Sequence, residues 1–301
     1  MTDRVRPLLA SIVAIAIAVP LAACAGPAPT APPSAAASLD EVAVVAEVYR
    51  SRIDPARGGI QLSVRNEGAA PLTIVRAVLD SPALAAPIER DRETAIGPGL
   101  TRDLAMTLTS AACPATTTRP PDALLTVALA DGGTAELRVP TTDRLGQWGE
   151  WLDAECFAAA VLERAAITVR HDPARDAPGG AAGPLIGLAL EVDTRAPGLE
   201  LVAANDTVLF GLVRAGDGAR VTSVALDGLG APGSGGAEGA VSIPLLLTPA
   251  RCDAHALADD KQGTLFRIDV RLDGEPGTVT IAADPATRAA LYDAFTRACS
   301  L

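Results

Sequence analysis

Hydrophobic and polar residues alternate in short segments along most of this chain. Ile60, Leu62 and Val64 form one such segment, which ends at the turn-forming residues 66–68 (NEG). Other alternating segments are Leu72, Ile74 and Val78; Leu104, Met106 and Leu108; Leu125, Val127 and Leu129; Leu188, Leu190 and Val192; residues 221–226; Ile243, Leu245 and Leu247; and Phe266, Ile268 and Val270. A period of two with Gly, Pro and Asn between the segments predicts a mainly β fold built from antiparallel sandwiches.

Two longer segments have the period of a helix instead. They span residues 144–155 and 285–298, and Pro285 suits the first turn of a helix. Their apolar faces consist of Leu145, Trp148 and Leu152 in the first segment and of Leu291, Phe295 and Ala298 in the second.

The order of these segments repeats. Residues 52–57 (RIDPAR) match residues 170–175 (RHDPAR), and residues 108–113 (LTSAAC) match residues 247–252 (LTPARC). After each cysteine that ends a match, a strand, a Gly-containing turn, and a helix follow in the same order. The pattern therefore predicts an internal duplication.

The duplication also predicts how the cysteines pair. Each repeat contains one cysteine at a strand end and one at a helix end, so we expect the bonds Cys113–Cys156 and Cys252–Cys299. Each bond would close a loop of forty-odd residues and stabilise the fold by roughly 4 kcal/mol. The alternative is a zinc site formed by the four thiolates, but such a site favours closely spaced cysteine pairs, which are absent from the sequence.

The predicted domains are residues 40–156 and 157–301, two tandem β-sandwiches that each end in a short disulfide-pinned helix. A short, stiff connection is expected between them. Residues 64–74 (VRNEGAAPLTI) resemble the strand–turn–strand segment of bacterial immunoglobulin-like surface domains. This resemblance implies an immunoglobulin-like topology.

The first residues have the pattern of a secretory signal. Arg4 and Arg6 precede an apolar run over residues 8–19, which is too short to span a bilayer comfortably. Residues 21–24 (LAAC) resemble the lipobox of bacterial lipoproteins. The resemblance implies removal of residues 1–23 and a diacylglyceryl group on Cys24.

A tether is predicted over residues 24–39. It contains four prolines between residues 27 and 33 and has almost no large apolar side chains, so it cannot bury enough surface to fold. The sequence thus predicts a lipid-anchored protein on the extracytoplasmic face of the cell membrane. Abundant alanine and arginine, with Lys261 the only lysine, are typical of a GC-rich genome such as that of an actinobacterium.

Charge argues against one class of partner. The chain has a net charge of −11 and lacks the clustered lysine and arginine that binding to phosphates requires, so nucleic acid is not an expected partner. The sequence predicts solubility and repulsion from anionic surfaces instead.

Candidate chemistry is sparse. His171 replaces Ile53 of the first repeat, and His255 lies near Asp253, where either a cation site or a solvated loop would fit. Residues 228–233 (GLGAPG) match a dinucleotide fingerprint by letters, but the Gly-rich residues 234–239 follow where a helix is needed, so a loop is predicted. No catalytic residue, metal or cofactor is expected.

Five of the eight aromatic residues lie near the second cysteine of each repeat, where they favour core packing over the alternative of an aromatic ligand platform. They are Trp148, Trp151, Phe157, Tyr292 and Phe295.

The function expected from these patterns is that of a non-enzymatic envelope lipoprotein, a binding or spacer module whose partner would be an envelope protein or glycan. Two alternatives stay open, an extracytoplasmic solute-binding receptor and an enzyme with an unrecognised site.

Overall fold

The computed structural model describes residues 38–179, 183–226, 239–258 and 262–301. These residues are mainly β, as predicted. The strands are β1 (Val44–Tyr49), β2 (Gly59–Asn66), β3 (Leu72–Asp80), β4 (Ile88–Arg90), β5 (Thr94–Ile96), β6 (Thr101–Thr107), β7 (Asp122–Ala128), β8 (Thr134–Thr142), β9 (Ala165–His171), β10 (Ile186–Thr194), β11 (Leu199–Asn205), β12 (Phe210–Val213), β13 (Arg220–Val221), β14 (Ser223–Ala225), β15 (Gly239–Pro249), β16 (Leu265–Leu272) and β17 (Glu275–Ala282). The helices are α1 (Asp54–Arg57), α2 (Gln147–Arg164), α3 (Ala254–Ala258) and α4 (Pro285–Cys299).

We call residues 38–146, with β1–β8, the first half, and residues 165–301, with β9–β17, the second half. In the first half the strands follow the order β4-β3-β7-β8-β1-β2-β6, and β5 also pairs with β3. In the second half a five-stranded sheet has the order β13-β12-β15-β10-β9, and a four-stranded sheet has the order β14-β11-β16-β17.

The strand orders of the two halves correspond. The pairings β1-β2-β6 and β3-β7-β8 in the first half have the same sequence of connections as β9-β10-β15 and β11-β16-β17 in the second. One difference is that β1 and β8 pair with each other, in parallel, through Ala46↔Thr141 and Glu47↔Thr142. The sequence pattern predicted purely antiparallel strands, so this prediction is wrong for the pairing of β1 with β8.

Each half has its own buried apolar cluster. In the first, the predicted alternating residues Ile60, Leu62 and Val64 are at most 2% exposed. In the second, Leu188 and Leu190 are fully buried. The alternation thus identified the buried faces of these strands correctly.

The alternation of apolar and polar residues gave a wrong prediction in two places, β3 and residues 221–226. A register shift on β3, between Ile74 and Arg76, changes which residues face inwards, and Ala77 and Leu79 are fully buried beyond it. The predicted single strand over residues 221–226 is divided at Thr222 between β13 and β14, which belong to different sheets. A period of two predicts neither a bulge nor a change of sheet.

The first predicted helix had the wrong bounds. The carboxylate of Asp143 accepts hydrogen bonds from the backbone N–H groups of Gln147 and Trp148, at 3.1 and 2.8 Å, so the helix begins after Leu145. Leu145 is accordingly 56% exposed rather than part of the apolar face. The helix then continues to Arg164 through residues 158–160, three alanines with the highest helix propensity.

The second helix, α4, agrees with the prediction and ends at Cys299. Asp284 caps it by accepting hydrogen bonds from the backbone N–H groups of Ala286 and Thr287. Within the described ranges, no helix combines the length and the apolar character that crossing a membrane requires.

Candidate functional site

Both predicted disulfide bonds are present. Cys113 bonds to Cys156 and Cys252 bonds to Cys299, with Cα–Cα distances of 5.3 and 5.1 Å. The first bond joins the loop after β6 to the middle of α2, and the second joins the loop after β15 to the last residue of α4. Cys156 thus lies within a helix, not at its end as the sequence pattern had suggested.

Helix α2 packs into both apolar clusters. Trp148, Trp151 and Leu152, near its start, are at most 5% exposed and belong to the cluster of the first half. About one and a half turns beyond Leu152, Phe157 packs against the cluster of the second half, and about two and a half turns beyond it Val161 is fully buried in that cluster. A single helix therefore contributes core residues to both halves.

The contact of Phe157 with the second half is close. Its ring lies directly over the backbone of Gly277 on β17, and a Cβ atom at Gly277 would overlap the ring. At the end of the helix, Arg164 donates hydrogen bonds to the carbonyl of Pro197 and to the carboxylate of Asp273. These contacts fix the last two turns of α2 on the second half.

A cleft of about 930 Å³ lies beside this helix, between the two halves. One wall is formed by the loop after β1, the other by the β11–β12 turn with parts of β16 and β17, and α2 lies along the base. The lining residues that carry a charge are Arg50, Arg52, Glu150, Glu155, Asp206 and Arg267.

The first wall is held by a buried carboxylate. Asp54 is 4% exposed and accepts hydrogen bonds from the backbone N–H of Ser51, at 2.6 Å, and from the Gln61 side chain, at 2.9 Å. Burial raises the pKa of Asp54, but the hydrogen bonds from Ser51 and Gln61 outweigh it, so the pKa is lowered overall. The carboxylate stays charged and fixes the loop that carries Arg50 and Arg52.

Arg50 is tied to this wall and to α2. Its backbone N–H donates to the Gln147 side-chain oxygen at 2.8 Å, and its guanidinium donates to the carbonyl of Gly59 at 3.2 Å. Burial lowers the pKa of Arg50, while the negative charges of Glu155 and Asp54 oppose that shift. Arg50 is thus a fixed cation next to the base of the cleft.

The β11–β12 turn, which forms most of the second wall, is hydrogen-bonded to β16 and to the segment before it. The Thr207 hydroxyl donates to the carbonyl of Gly263 at 2.8 Å and accepts from the backbone N–H of Phe210 at 3.0 Å. Asn205 donates to the carboxylate of Asp269 at 2.9 Å. These bonds hold Asp206 and the 69% exposed Val208 at the edge of the cleft.

The histidines lie elsewhere. His171 is within 3.2 Å of both carboxylate oxygens of Asp176, which also accepts the backbone N–H of Gly187. His171 therefore fixes Asp176, in the segment between Arg175 and β10. In the first half β2 begins directly after Gly58, so Ile53, at the position that corresponds to His171, has no such segment to bind. His255 is exposed in α3, and its neighbours 259–261 lie outside the described residues.

Several predicted features cannot be placed. Cys24, the signal over residues 1–23, the tether up to residue 37 and most of the Gly-rich loop, residues 227–238, lie outside the described residues. Among the residues that are described, no group of three or more His, Cys, Asp or Glu side chains is arranged to hold a metal ion.

The aromatic residues near the second cysteines serve as core. Trp148, Trp151 and Phe295 are at most 5% exposed, and Phe157 and Tyr292 pack against the second cluster. Phe295 meets Phe210 edge-on with ring centroids 5.8 Å apart. Sequence reasoning missed the cleft, because its walls come from segments 150 residues apart and no local pattern signals that they meet.

Comparison with known proteins identifies no family. No protein-family model and no curated protein matches the chain in sequence. Among solved structures, it is similar to red sea bream transglutaminase, at 13% identity and TM-score 0.22 over 81% of this chain and 31% of that one. It is also similar to the BSP domain of a biofilm-associated protein, at 9% identity and TM-score 0.22 over 85% of this chain and 62% of that one. A third similar structure is the YadV chaperone, at 8% identity and TM-score 0.20 over 80% of this chain and 100% of that one. The chain thus spans less than two thirds of the first two, and scores this low assign it to no family.

Proposed function

We propose that this chain is a non-enzymatic lipoprotein of the cell envelope, anchored by a diacylglyceryl group on Cys24 at the extracytoplasmic face of the membrane. The leader over residues 1–23 and the lipobox-like residues 21–24 support the anchor. The two disulfide bonds support an oxidising compartment, because such bonds persist outside the cytoplasm.

The folded part acts as a binding or spacer module of two tandem immunoglobulin-like sandwiches, residues 40–156 and 157–301, each with a disulfide-pinned helix. One observation carries this proposal: α2 contributes buried side chains to both apolar clusters, which are otherwise separate. A continuous helix with core residues at both ends is a stiff connection. It suits a protein that holds a partner, an envelope protein or glycan, at a fixed distance from the membrane.

A solute-binding receptor is the second candidate, and the cleft between the halves favours it. Its volume of about 930 Å³ falls in the range of small-ligand sites, which are common where two folded units meet. Among the described residues, the lining includes no histidine or cysteine, so the usual nucleophile–base pairs have no counterpart there. We therefore propose the cleft as a binding site.

Replacing Cys24 tests the anchor. Cys24→Ala removes the sulfur that would carry the lipid, so we expect either release from the membrane fraction or an uncleaved precursor, in both cases without a lipid adduct by mass spectrometry. Thr30→Ala, in the predicted tether, is the control and should stay lipidated. A wild-type protein of mature mass that is retained in the membrane without any adduct would contradict the lipoprotein proposal.

A further inference from the structure

The cleft beside α2 contains charges of both signs that lack partners. Arg52 and Arg267 are exposed, and neither forms an ion pair within the described part of the chain. The carboxylates of the exposed Glu150 and the half-buried Asp206 likewise form no ion pair within those ranges. Each wall or base element thus presents at least one charge to the open space.

Elsewhere on the surface several arginines are paired, while others, such as Arg57 and Arg195, have no ion pair within the described ranges. Arg76 lies 2.8 Å from Glu89, Arg170 lies 2.8 Å from Glu191, and Arg164 lies 3.0 Å from Asp273. Acidic side chains are abundant in this chain, and an exposed arginine commonly finds one across a strand or turn. What distinguishes the cleft is that Arg52, Arg267, Glu150 and Asp206, charges of both signs, line one concave space that has room for a ligand.

The signs of the charges restrict the ligand. A polyanion would be repelled by Glu150 and Asp206 and by the net charge of −11. A neutral polar ligand could donate and accept hydrogen bonds here but would bring no opposite charge to any of the four side chains. A molecule with one carboxylate and one ammonium group meets both requirements, because a guanidinium binds carboxylate through paired N–H groups and a carboxylate accepts hydrogen bonds from ammonium.

The remaining lining suits a peptide. Val208 is 69% exposed, and both Val208 and Leu265 line the cleft, where they offer apolar contact to a side chain. The Thr280 hydroxyl also lines the cleft and can bond to a peptide group. A short peptide therefore fits the charges, the apolar edge and the polar hydroxyl of the second wall together.

We propose that the cleft binds a short zwitterionic peptide, with its carboxylate at Arg52 and Arg267 and its ammonium group at Glu150 and Asp206. This inference rests on the proposed binding role and names its ligand class. It makes no use of the lipid on Cys24, so failure of peptide binding and failure of membrane anchoring are separate results.

Calorimetric titration of the full chain in detergent tests the proposal. The probe is the tripeptide Ala-Leu-Ala with free termini, compared with its N-acetylated, C-amidated form. We expect saturable binding of the free tripeptide and at least about tenfold weaker binding of the blocked form, because hydrogen bonds to charged groups are the stronger ones.

Variants locate the site. Arg52→Gln combined with Arg267→Gln should weaken binding of the free tripeptide by about tenfold or more, and Asp206→Asn should weaken it as well. Arg195→Gln and Asp193→Asn, at exposed positions outside the cleft lining, are the matched controls and should change nothing. Circular dichroism of each variant verifies that it is folded.

Three results would overturn the proposal. The first is the absence of saturable binding by the free tripeptide. The second is equal binding of the free and blocked forms. The third is binding of the free tripeptide that the cleft variants leave intact. Acetate that binds as tightly as the tripeptide would show a simple anion site and would also contradict the zwitterion assignment.

Discussion

Helices α2 and α4 occupy corresponding places in the two halves, yet they end differently. Both follow the last strand of their half, and both carry the second cysteine of a disulfide bond. Helix α4 ends at its cysteine, whereas α2 continues for eight residues beyond Cys156 and enters the core of the next half. The same element is thus a terminal cap in one half and a connector in the other.

The difference arises from a few residues. After Cys299 the chain turns at Ser300, which has a left-handed backbone conformation with φ of 53° and ends the helix. After Cys156 come Phe157 and alanines, which continue the helix and present Phe157 to Gly277. Helix α2 thus has contacts with the second half that depend on side chains which α4 lacks.

The largest expected effect concerns the core residues of the two helices. Trp148→Ala in α2 and Phe295→Ala in α4 each remove a buried aromatic ring, so each should lower the free energy of unfolding by about 3–5 kcal/mol. Urea denaturation followed by circular dichroism measures this. Leu301→Ala, at a half-exposed residue, should change it by less than about 0.5 kcal/mol. Wild-type stability of either core variant would show that its helix is not part of the core.

A smaller effect is expected where α2 meets the second half. Gly277→Ala places a Cβ atom into the Phe157 ring and should cost about 1–3 kcal/mol through overpacking. Gly149→Ala is the matched control within α2, because nothing lies within 4 Å of its added Cβ, and it should stabilise by about 1 kcal/mol. Thermal melts of the two variants should shift in opposite directions. A neutral Gly277→Ala variant would mean that Phe157 is not seated on β17.

The matching RxDPAR segments offer the next comparison. Asp54 is buried with three hydrogen bonds, whereas Asp172 is partly exposed and pairs with Arg175 at 3.0 Å. Asp54→Asn should cost about 1–3 kcal/mol at neutral pH, since an amide cannot accept all three bonds. Asp172→Asn should cost less than about 1 kcal/mol.

The pH dependence of this effect has a definite sign. The pKa of Asp54 is lowered in the folded state, so its carboxylate stabilises the fold above the ordinary carboxyl pKa near 4. That contribution is lost as the pH falls through the lowered value. The stability difference between wild type and Asp54→Asn, measured by urea denaturation, should therefore shrink below about pH 4. A difference that grows with acidity would contradict this account of Asp54.

These comparisons show what local sequence patterns can predict. The alternation of Ile60, Leu62 and Val64 predicted a buried strand because it depends on neighbours in the sequence. The cysteine pairing followed from the repeat. The extent of α2 was missed although the alanines at 158–160 signal a longer helix, and its contact between Phe157 and Gly277 was missed because these residues are 120 positions apart. The cleft was missed for the same reason.

We expect α2 to hold the two halves in one orientation, because it contributes buried side chains to both apolar clusters. Spin labels on non-canonical residues at Ala130 and Ala215, exposed positions in the first and second halves, report the distance between them by pulsed electron resonance. We expect one narrow distribution of the distance between the two labels in the wild type. We also expect a broadened one for Ala159→Pro, which breaks α2 at an exposed residue, and an unchanged one for Ala159→Ser. A broad distribution in the wild type, or no change on breaking the helix, would contradict this expectation.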